Sequence, residues 1–329
     1  MAVLSLRDAE DLVVQTLARA RTNDANALSV ARALVAAEAD GLKGHGLARV
    51  PSYAAQAKAG KVDGFATPTF ARARPGLLAI DAAYGFAFPA LGLAIAELPK
   101  LTRNQGVAAA AIWRSHHCGA AGHTVERLAE AGLVALMFAN TPSAIAPWGG
   151  SKAAFGTNPI AFGCPLEGRA PIVIDLSLSK VARGNIVTAK QRGEKISEGW
   201  ALDESGKPTT DPDAALRGTM QPAGEAKGTA LALMVELLAA GLTGANFAAE
   251  ASSYLDAKGP PPGTGQLLIA FDPSAFDENA ILRFAVLASS IEEQAGARLP
   301  GTRRLAARRK SAAEGLNIAD ALLAEIAAV

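Results

Sequence analysis

The chain has 329 residues, half of them hydrophobic and 19% charged, which is enough for two packed units and a large core. Thirty-two basic residues face 31 acidic ones, and the resulting formal charge of +1 excludes a nucleic-acid-binding surface as the main business of the chain. Its two cysteines stand outside any CxxC pair, which excludes a disulfide framework and a structural zinc site.

Read from the start, MAVLSLRDAEDLV becomes charged within seven residues and lacks the apolar stretch of a signal peptide, so a cytoplasmic location is expected. Ser5 and Asp8 form a capping pair before a helix through DLVVQTLARA. Asn23 precedes a second helix, ALSVARALVAAEA, which Gly41 stops. A glycine-punctuated loop from Gly41 to Pro51 carries His45, and another helix is expected around Ser52–Ala59. From about Leu77 the texture changes to short apolar runs that read as strands: 77–81, 107–113, 133–140, 171–179 and 266–271. Helices are expected at Pro89–Lys100, Gly122–Ala131 and Lys227–Ala240. The apolar segment Gly228–Gly244 is broken by Glu236 and is too short to span a bilayer. After Pro273 the chain returns to helix through ENAILRFAVLASSIEEQ and again near Ile318–Val329. The expected architecture is α/β, with a mixed sheet over 76–273 and a helical unit built from 1–75 and 274–329.

Two nucleotide signatures are missing: no GxGxxG follows a strand and opens a helix, and no GxxxxGK[ST] occurs. The chemistry must be sought in the four histidines, His45, His116, His117 and His123, because histidine moves protons near neutral pH. His45 lies in KGHGLAR, between glycines that let the backbone approach another group, with Arg49 four residues on as a fork for a carboxylate. The bland alternative is a turn histidine beside a surface arginine. Ser115–His123 (SHHCGAAGH) runs from a strand into a helix, a junction whose free N–H groups suit a phosphate. A metal is not expected there, since no carboxylate is close in sequence and adjacent histidines rarely point the same way. Asp175 ends the run PIVID at the C-terminal end of a strand, followed by Ser177, Ser179 and Arg183; it is read as a site carboxylate or as a simple cap. Gly156-Thr157-Asn158-Pro159 is a turn, and Lys227 opens a helix where it can meet a phosphate or stay solvated.

In order and spacing, GHGLARVPSY, RSHHCGAAGH, NTPSAIAPWGG, FGTNPIAF, VIDLSLSKVARG, EGWALDESGKPTTDPDAAL, GEAKGTALALMVELLAAGLTGA and RLPGTRR resemble the malate/L-lactate dehydrogenase-like family across nearly the whole chain. The resemblance implies a homodimer with an NAD(P)-binding domain that is not of the Rossmann type, which accounts for the absent glycine fingerprint. LKGHGLARVPSYAAQ, the doubled SHH and DLSLSKVARG resemble most the Δ1-pyrroline-2-carboxylate/Δ1-piperideine-2-carboxylate reductases. Hydroxy-acid dehydrogenases of the family more often read DSHG, NHFG and DMATS at those places.

By that resemblance His45 is the proton-transferring histidine, Asp175 its carboxylate partner and Arg49 the holder of the substrate carboxylate, with Thr157 beside the substrate. The resemblance also implies that His117 lies near the nicotinamide, with an acid/base role assigned to that histidine in some members. Cofactor contacts are implied for His117, Cys118, Gly119, Thr141, Thr157, Asp175, Leu176, Ser177, Lys227, Gly228, Arg303 and Arg304. Two positions depart from the family: Gly44 replaces the usual serine before the histidine, and Cys118 the usual phenylalanine. The implied activity is NADPH-dependent reduction of a cyclic 2-imino acid, with NADH as a possible substitute. The alternatives are a 2-hydroxy-acid dehydrogenase acting on malate, lactate, sulfolactate or ureidoglycolate, and a non-catalytic protein that binds nucleotide or a partner.

Overall fold

The computed structural model describes residues 1–329. It begins with β1 (Ala2–Leu4), α1 (Leu6–Arg19) and α2 (Asp24–Ala39). Ser5 caps α1 by accepting from the Asp8 N–H at 3.1 Å, and Asn23 caps α2 by accepting from the Asn26 N–H at 2.8 Å. Gly41, at φ +78°, ends that helical hairpin in a left-handed turn. Two short 3-10 turns, Lys43–His45 and Leu47–Arg49, lead into α3 (Val50–Lys58).

The central unit follows as β2 (Thr69–Arg74), β3 (Leu77–Asp81), α4 (Ala87–Gln105), β4 (Val107–Ser115), α5 (Ala121–Glu130), β5 (Val134–Ala139), β6 (Ile160–Leu166) and β7 (Arg169–Leu176). Then come α6 (Arg183–Arg192), β8 (Ala201–Leu202), β9 (Pro208–Thr209), α7 (Pro212–Arg217), β10 (Thr219–Met220), α8 (Ala226–Glu236) and β11 (Thr264–Phe271). The chain closes with α9 (Ala280–Glu292), α10 (Thr302–Glu314), β12 (Leu316–Ile318) and α11 (Asp320–Ala327).

Seven strands form one mixed sheet in the order β2-β3-β4-β11-β5-β6-β7, in which only β3 and β4 pair in parallel. The last of these strands in sequence, β11, lies at the centre because TGQLLIAF is apolar on both faces and nearly all buried. A three-stranded sheet, β10-β8-β9, stands apart with α6 and α7 over its own small core. The chain ends meet as β1 pairs with β12.

Two large cores divide the burial. One is built on the main sheet with α4 and α5, around Leu78, Ile112, Leu128 and Leu268. The other gathers α1, α2, α3, β12 and α11 around Leu17, Leu34, Tyr53 and Phe86. The sequence grouped everything after 273 with the N-terminal helices, but α9 packs on the sheet instead. Its Ala288 shares a core with Leu166 and Leu299, because the β6–β7 edge would otherwise stay uncovered. The final helix also starts later than expected, since Ile318 is drawn into the strand that seals the N-terminus. No helix is long and apolar enough to cross a membrane.

Candidate active site

The histidines of the two separated motifs come together where α3 meets the end of β4. His45 and His117 stack with ring centroids 5.3 Å apart and an interplanar angle of 11°. Tyr53, on the buried face of α3, places its hydroxyl 2.5 Å from His117 Nδ1. One helical turn on, the Gln56 side chain donates to the Tyr254 carbonyl at 2.8 Å and presents Oε1 to His116 Nε2 at 2.9 Å. Tyr254 packs against both His116 and His117, at 5.1 and 5.2 Å. Tyr254 is held from outside by Lys61, whose buried ammonium donates to the carbonyls of Ser253, Asp256 and Lys258. Sequence reasoning assigned no role to Tyr53, Gln56, Lys61 or Tyr254. The first two were legible as an i, i+3 pair on one helix face within VPSYAAQ.

Arg49 is the one unpaired cation of this group. Its Nε donates to the Gly44 carbonyl at 2.7 Å, and it makes no ion pair, so both terminal nitrogens of the fork are free. Gly46 permits this turn: a Cβ there would sit 2.2 Å from Glu38 Oε2, the oxygen that accepts the Leu47 N–H. By contrast a Cβ on Gly44 would meet nothing within 4 Å.

Burial, then the Arg49 and His123 charges, lower the His45 pKa to about 4. Burial, then Lys61 and Arg49, lower His116 to about 3, and burial with Arg49 holds His117 well below its ordinary value. All three imidazoles are neutral at pH 7. Cys118 is no nucleophile, since burial, helped by Asp175, pushes its thiol up to about 12.

The structure brings Asp175 to the start of α5. Its carboxylate accepts the Gly122 N–H at 2.8 Å, capping the first turn of α5, and no hydrogen bond joins it to His45. The positive end of α5 has claimed it, while burial raises its pKa. Gly122 eases this approach, because a Cβ there would crowd the carboxylate oxygen at 3.1 Å. Beside it His123 donates to Asp40 at 2.8 Å. Asp40 and Glu126 are bound in turn by both Arg304 and Arg308 at 2.7–2.8 Å. Arg304 is therefore spent inside an ion cluster and has no free fork for a cofactor phosphate. Asp40, His123 and Glu126 approach metal-ligand spacing, but the two carboxylates are occupied by those guanidiniums and His123 Nε2 by Asp40. Arg303 is exposed on α10.

The remaining cofactor candidates fall into two groups. His117, Cys118 and Gly119 form the loop between β4 and α5; a Cβ on Gly119 would press to 2.9 Å from Phe88. Thr141, Thr157, Leu176, Ser177, Lys227 and Gly228 gather at the far ends of β5, β6 and β7. There Thr141 Oγ1 accepts the Thr157 N–H at 2.9 Å, the Leu178 N–H donates to Thr157, and the Ala223 N–H donates to Leu178. Gly228 lies so near Ala223 that a Cβ would stand 1.9 Å from its carbonyl oxygen. The N–H groups of Ala226 and Gly228, in the first turn of α8, have no partner in the chain, and exposed Lys227 lies between them. That is a cradle for an anionic group such as a phosphate, so these residues fit a nicotinamide dinucleotide. Three of the six non-glycine residues with left-handed backbone, Arg114, Asn158 and Glu225, flank these segments. Such strain costs on the order of 1–3 kcal/mol each and gathers where geometry serves function. A cleft of about 630 Å³ between α5, the β6–β7 turn and α9 contains none of these groups.

The structure thus sets a mixed sheet beside a helical cluster, with two stacked neutral histidines and an arginine that makes no ion pair. The chain belongs to the malate/L-lactate dehydrogenase family, which it matches over residues 4–327, and it is an NAD(P)-dependent oxidoreductase. It is 51% identical to a (2R)-3-sulfolactate dehydrogenase (NADP(+)) of Chromohalobacter salexigens, over 99% of this chain and 97% of that one. It is 44% identical to a Δ1-pyrroline-2-carboxylate/Δ1-piperideine-2-carboxylate reductase of Pseudomonas aeruginosa, over 100% and 99% of the two chains. Among solved structures, the Δ1-piperideine-2-carboxylate reductase of Pseudomonas syringae pv. tomato superposes with a TM-score of 0.94 at 39% identity, covering 99% of each chain. The sulfolactate dehydrogenase of Methanocaldococcus jannaschii superposes at 0.90 and 28%, covering 99% of this chain and 95% of that one.

Proposed function

We propose that the chain reduces a cyclic 2-imino acid, Δ1-pyrroline-2-carboxylate or Δ1-piperideine-2-carboxylate, to L-proline or L-pipecolate with NADPH. The observation that carries this reading is the single free cation, Arg49, set against neutral rings: a site for one carboxylate attached to a largely apolar ring. Bound nicotinamide supplies a hydride to C2 of the substrate. Arg49 holds the carboxylate through its two terminal nitrogens and thereby fixes C2.

His45 provides the proton for nitrogen. In the free site it is neutral, first because it is buried and then because Arg49 repels a second positive charge. A substrate carboxylate on Arg49 cancels much of that repulsion, so imidazolium becomes accessible once substrate is bound. In the reverse direction the same neutral imidazole accepts the proton. Asp175, through Gly122, holds the β4–α5 loop on which His117 sits.

The dinucleotide would lie in a domain that is not of the Rossmann type, a reading supported by the lone parallel strand pair and the missing glycine fingerprint. His117, Gly119, Thr141, Thr157, Ser177, Lys227 and Gly228 would contact it, and Arg303 is the exposed arginine left for a 2′-phosphate. The helical unit is proposed to carry the substrate side. A homodimer is supported by apolar side chains left open on α8 (Leu231, Leu233, Met234) and on α9 (Leu282, Val286, Leu287).

A second reading is favoured by the 51% identical relative: reduction of sulfopyruvate to sulfolactate. Its sulfonate calls for a second free cation. Near the histidines Lys61 is caged by carbonyls and His123 is tied to Asp40, which favours the imino acid. Steady-state assays of both imino acids, sulfopyruvate, pyruvate and oxaloacetate with NADPH and NADH test this. Turnover confined to the keto acids would overturn the first reading.

A further inference from the structure

The two stacked imidazoles have opposite surroundings. Tyr53 is fully buried, and its hydroxyl has one partner, His117 Nδ1. If Nδ1 carried the proton, that hydroxyl would lose its only acceptor inside the core, a cost that buried polar groups avoid. Burial also pushes the phenol pKa up, so the hydroxyl keeps its proton to donate. With Nδ1 accepting, the proton of neutral His117 must sit on Nε2. That nitrogen has no partner in the protein and is not among the sealed, unpartnered atoms, so it faces open space. A ring flip is blocked by Tyr53, Tyr254 and His45 packed around the imidazole.

His45 is free by comparison. Neither of its nitrogens makes a hydrogen bond, and its Nδ1 is sealed and unpartnered. It sits on a 3-10 turn between two glycines rather than on a regular element.

We propose that these histidines divide the work: Tyr53 fixes His117 as a permanent hydrogen-bond donor through Nε2–H, and His45 alone exchanges the proton with substrate. Tyr53 is then a positioning residue that acts through His117. The proposal rests on the reading of this site as the place of reduction. Its first test does not, because the tautomer of His117 can be read whatever acid is reduced.

That test is long-range 1H–15N correlation of imidazole nitrogens in 15N-histidine-labelled enzyme, with and without NADPH. Four histidines make the spectrum tractable, and His45→Gln and His117→Gln assign it. The expected result is an unprotonated Nδ1 and a protonated Nε2 for His117 throughout the active pH range. Tyr53→Phe should mix the tautomers and lower kcat about tenfold or more, with little change in substrate KM or NADPH affinity. His117→Gln, which keeps an N–H donor near the Nε2 position, should retain far more kcat than His45→Gln, which should lose roughly 10²–10⁴-fold. A protonated Nδ1 in the unsubstituted enzyme, an unchanged tautomer in Tyr53→Phe, or equal losses in the two glutamine variants would each overturn the proposal.

Discussion

Arg49→Lys separates holding the substrate from doing the chemistry. In the structure Nε is committed to the Gly44 carbonyl at 2.7 Å, which aims the two remaining nitrogens as a fork. Lysine has no nitrogen for Gly44 and offers a single point charge to the carboxylate. One charge-assisted hydrogen bond contributes on the order of 1.5–3 kcal/mol, so kcat/KM should fall roughly ten- to a hundredfold, mostly through KM. The KM for NADPH should not move. The pH profile adds a second discriminant. Lysine keeps the charge that helps depress His45, so the inflection of kcat/KM should stay near the value of about 4 set by burial, Arg49 and His123. Arg49→Leu removes the charge but leaves the burial, so the inflection should rise above that of the parent while staying below the ordinary 6.5. Steady-state kinetics of both variants from acid to neutral pH decide the matter. An unchanged substrate KM in Arg49→Lys, or an unmoved inflection in Arg49→Leu, would refute the assignment.

Gly228→Ala forces a Cβ to within 1.9 Å of the Ala223 carbonyl, so the turn before α8 must open. NADPH affinity by fluorescence titration should drop about tenfold or more at unchanged substrate KM, and normal affinity would remove Gly228 from the cofactor cradle. Asp40→Asn leaves Arg304, Arg308 and His123 short of a buried anion and should cost about 3 kcal/mol in urea unfolding; a variant as stable as its parent would show the cluster to be idle. Acid should destabilise the fold before it reaches the carboxylate cluster. His45, His116 and His117 have folded pKa values below 6.5, so the unfolded chain binds more protons and stability falls as pH drops below about 6.5. Each histidine contributes a slope of at most about 1.4 kcal/mol per pH unit, while Glu38 and Asp175, raised by burial, oppose it. Urea midpoints that do not change between pH 7.5 and 5 would contradict the buried neutral histidines.

The parts of the fold that the sequence revealed are those with local causes. Ser5 and Asn23 sit at their helix starts because a side-chain acceptor three residues before a free N–H needs no tertiary context. The strands β3, β4, β5 and β11 were legible as apolar runs, and β7 as the run ending in Asp175. β2 was not, because TFARAR is exposed along its whole length and carries no apolar signature. β6 was not either, because Gly163 and Pro165 interrupt the apolar run IAFGCPL. In the fold Gly163 is what lets α5 lie on the strand, since a Cβ would stand 2.4 Å from the Val125 carbonyl. In the site, His45, Arg49 and His117 could be named from their motifs. The pairing of Asp175 with Gly122 rather than with His45 could not, because it depends on where α5 begins in space. Nor could the engagement of Arg304 by Asp40, a contact across 264 residues.

That distant contact bears on how the site keeps its shape. The β4–α5 loop carries His116, His117 and Cys118 and belongs to the sheet, whereas His45, Arg49 and Tyr53 belong to the helical cluster. Productive geometry requires the two sets to stay aligned within about half an ångström, which non-directional apolar contact does not guarantee. Two directional sets of bonds flank the loop. On one side α3 reaches it through Tyr53 to His117 and Gln56 to His116. On the other, Asp40 at the end of α2 meets His123 and shares two arginines of α10 with Glu126 of α5. Asp175 pins the same loop from β7 through Gly122. The ion cluster therefore adds directional bonds among α2, α5 and α10 beside the two segments that supply the stacked histidines, which apolar packing alone does not provide.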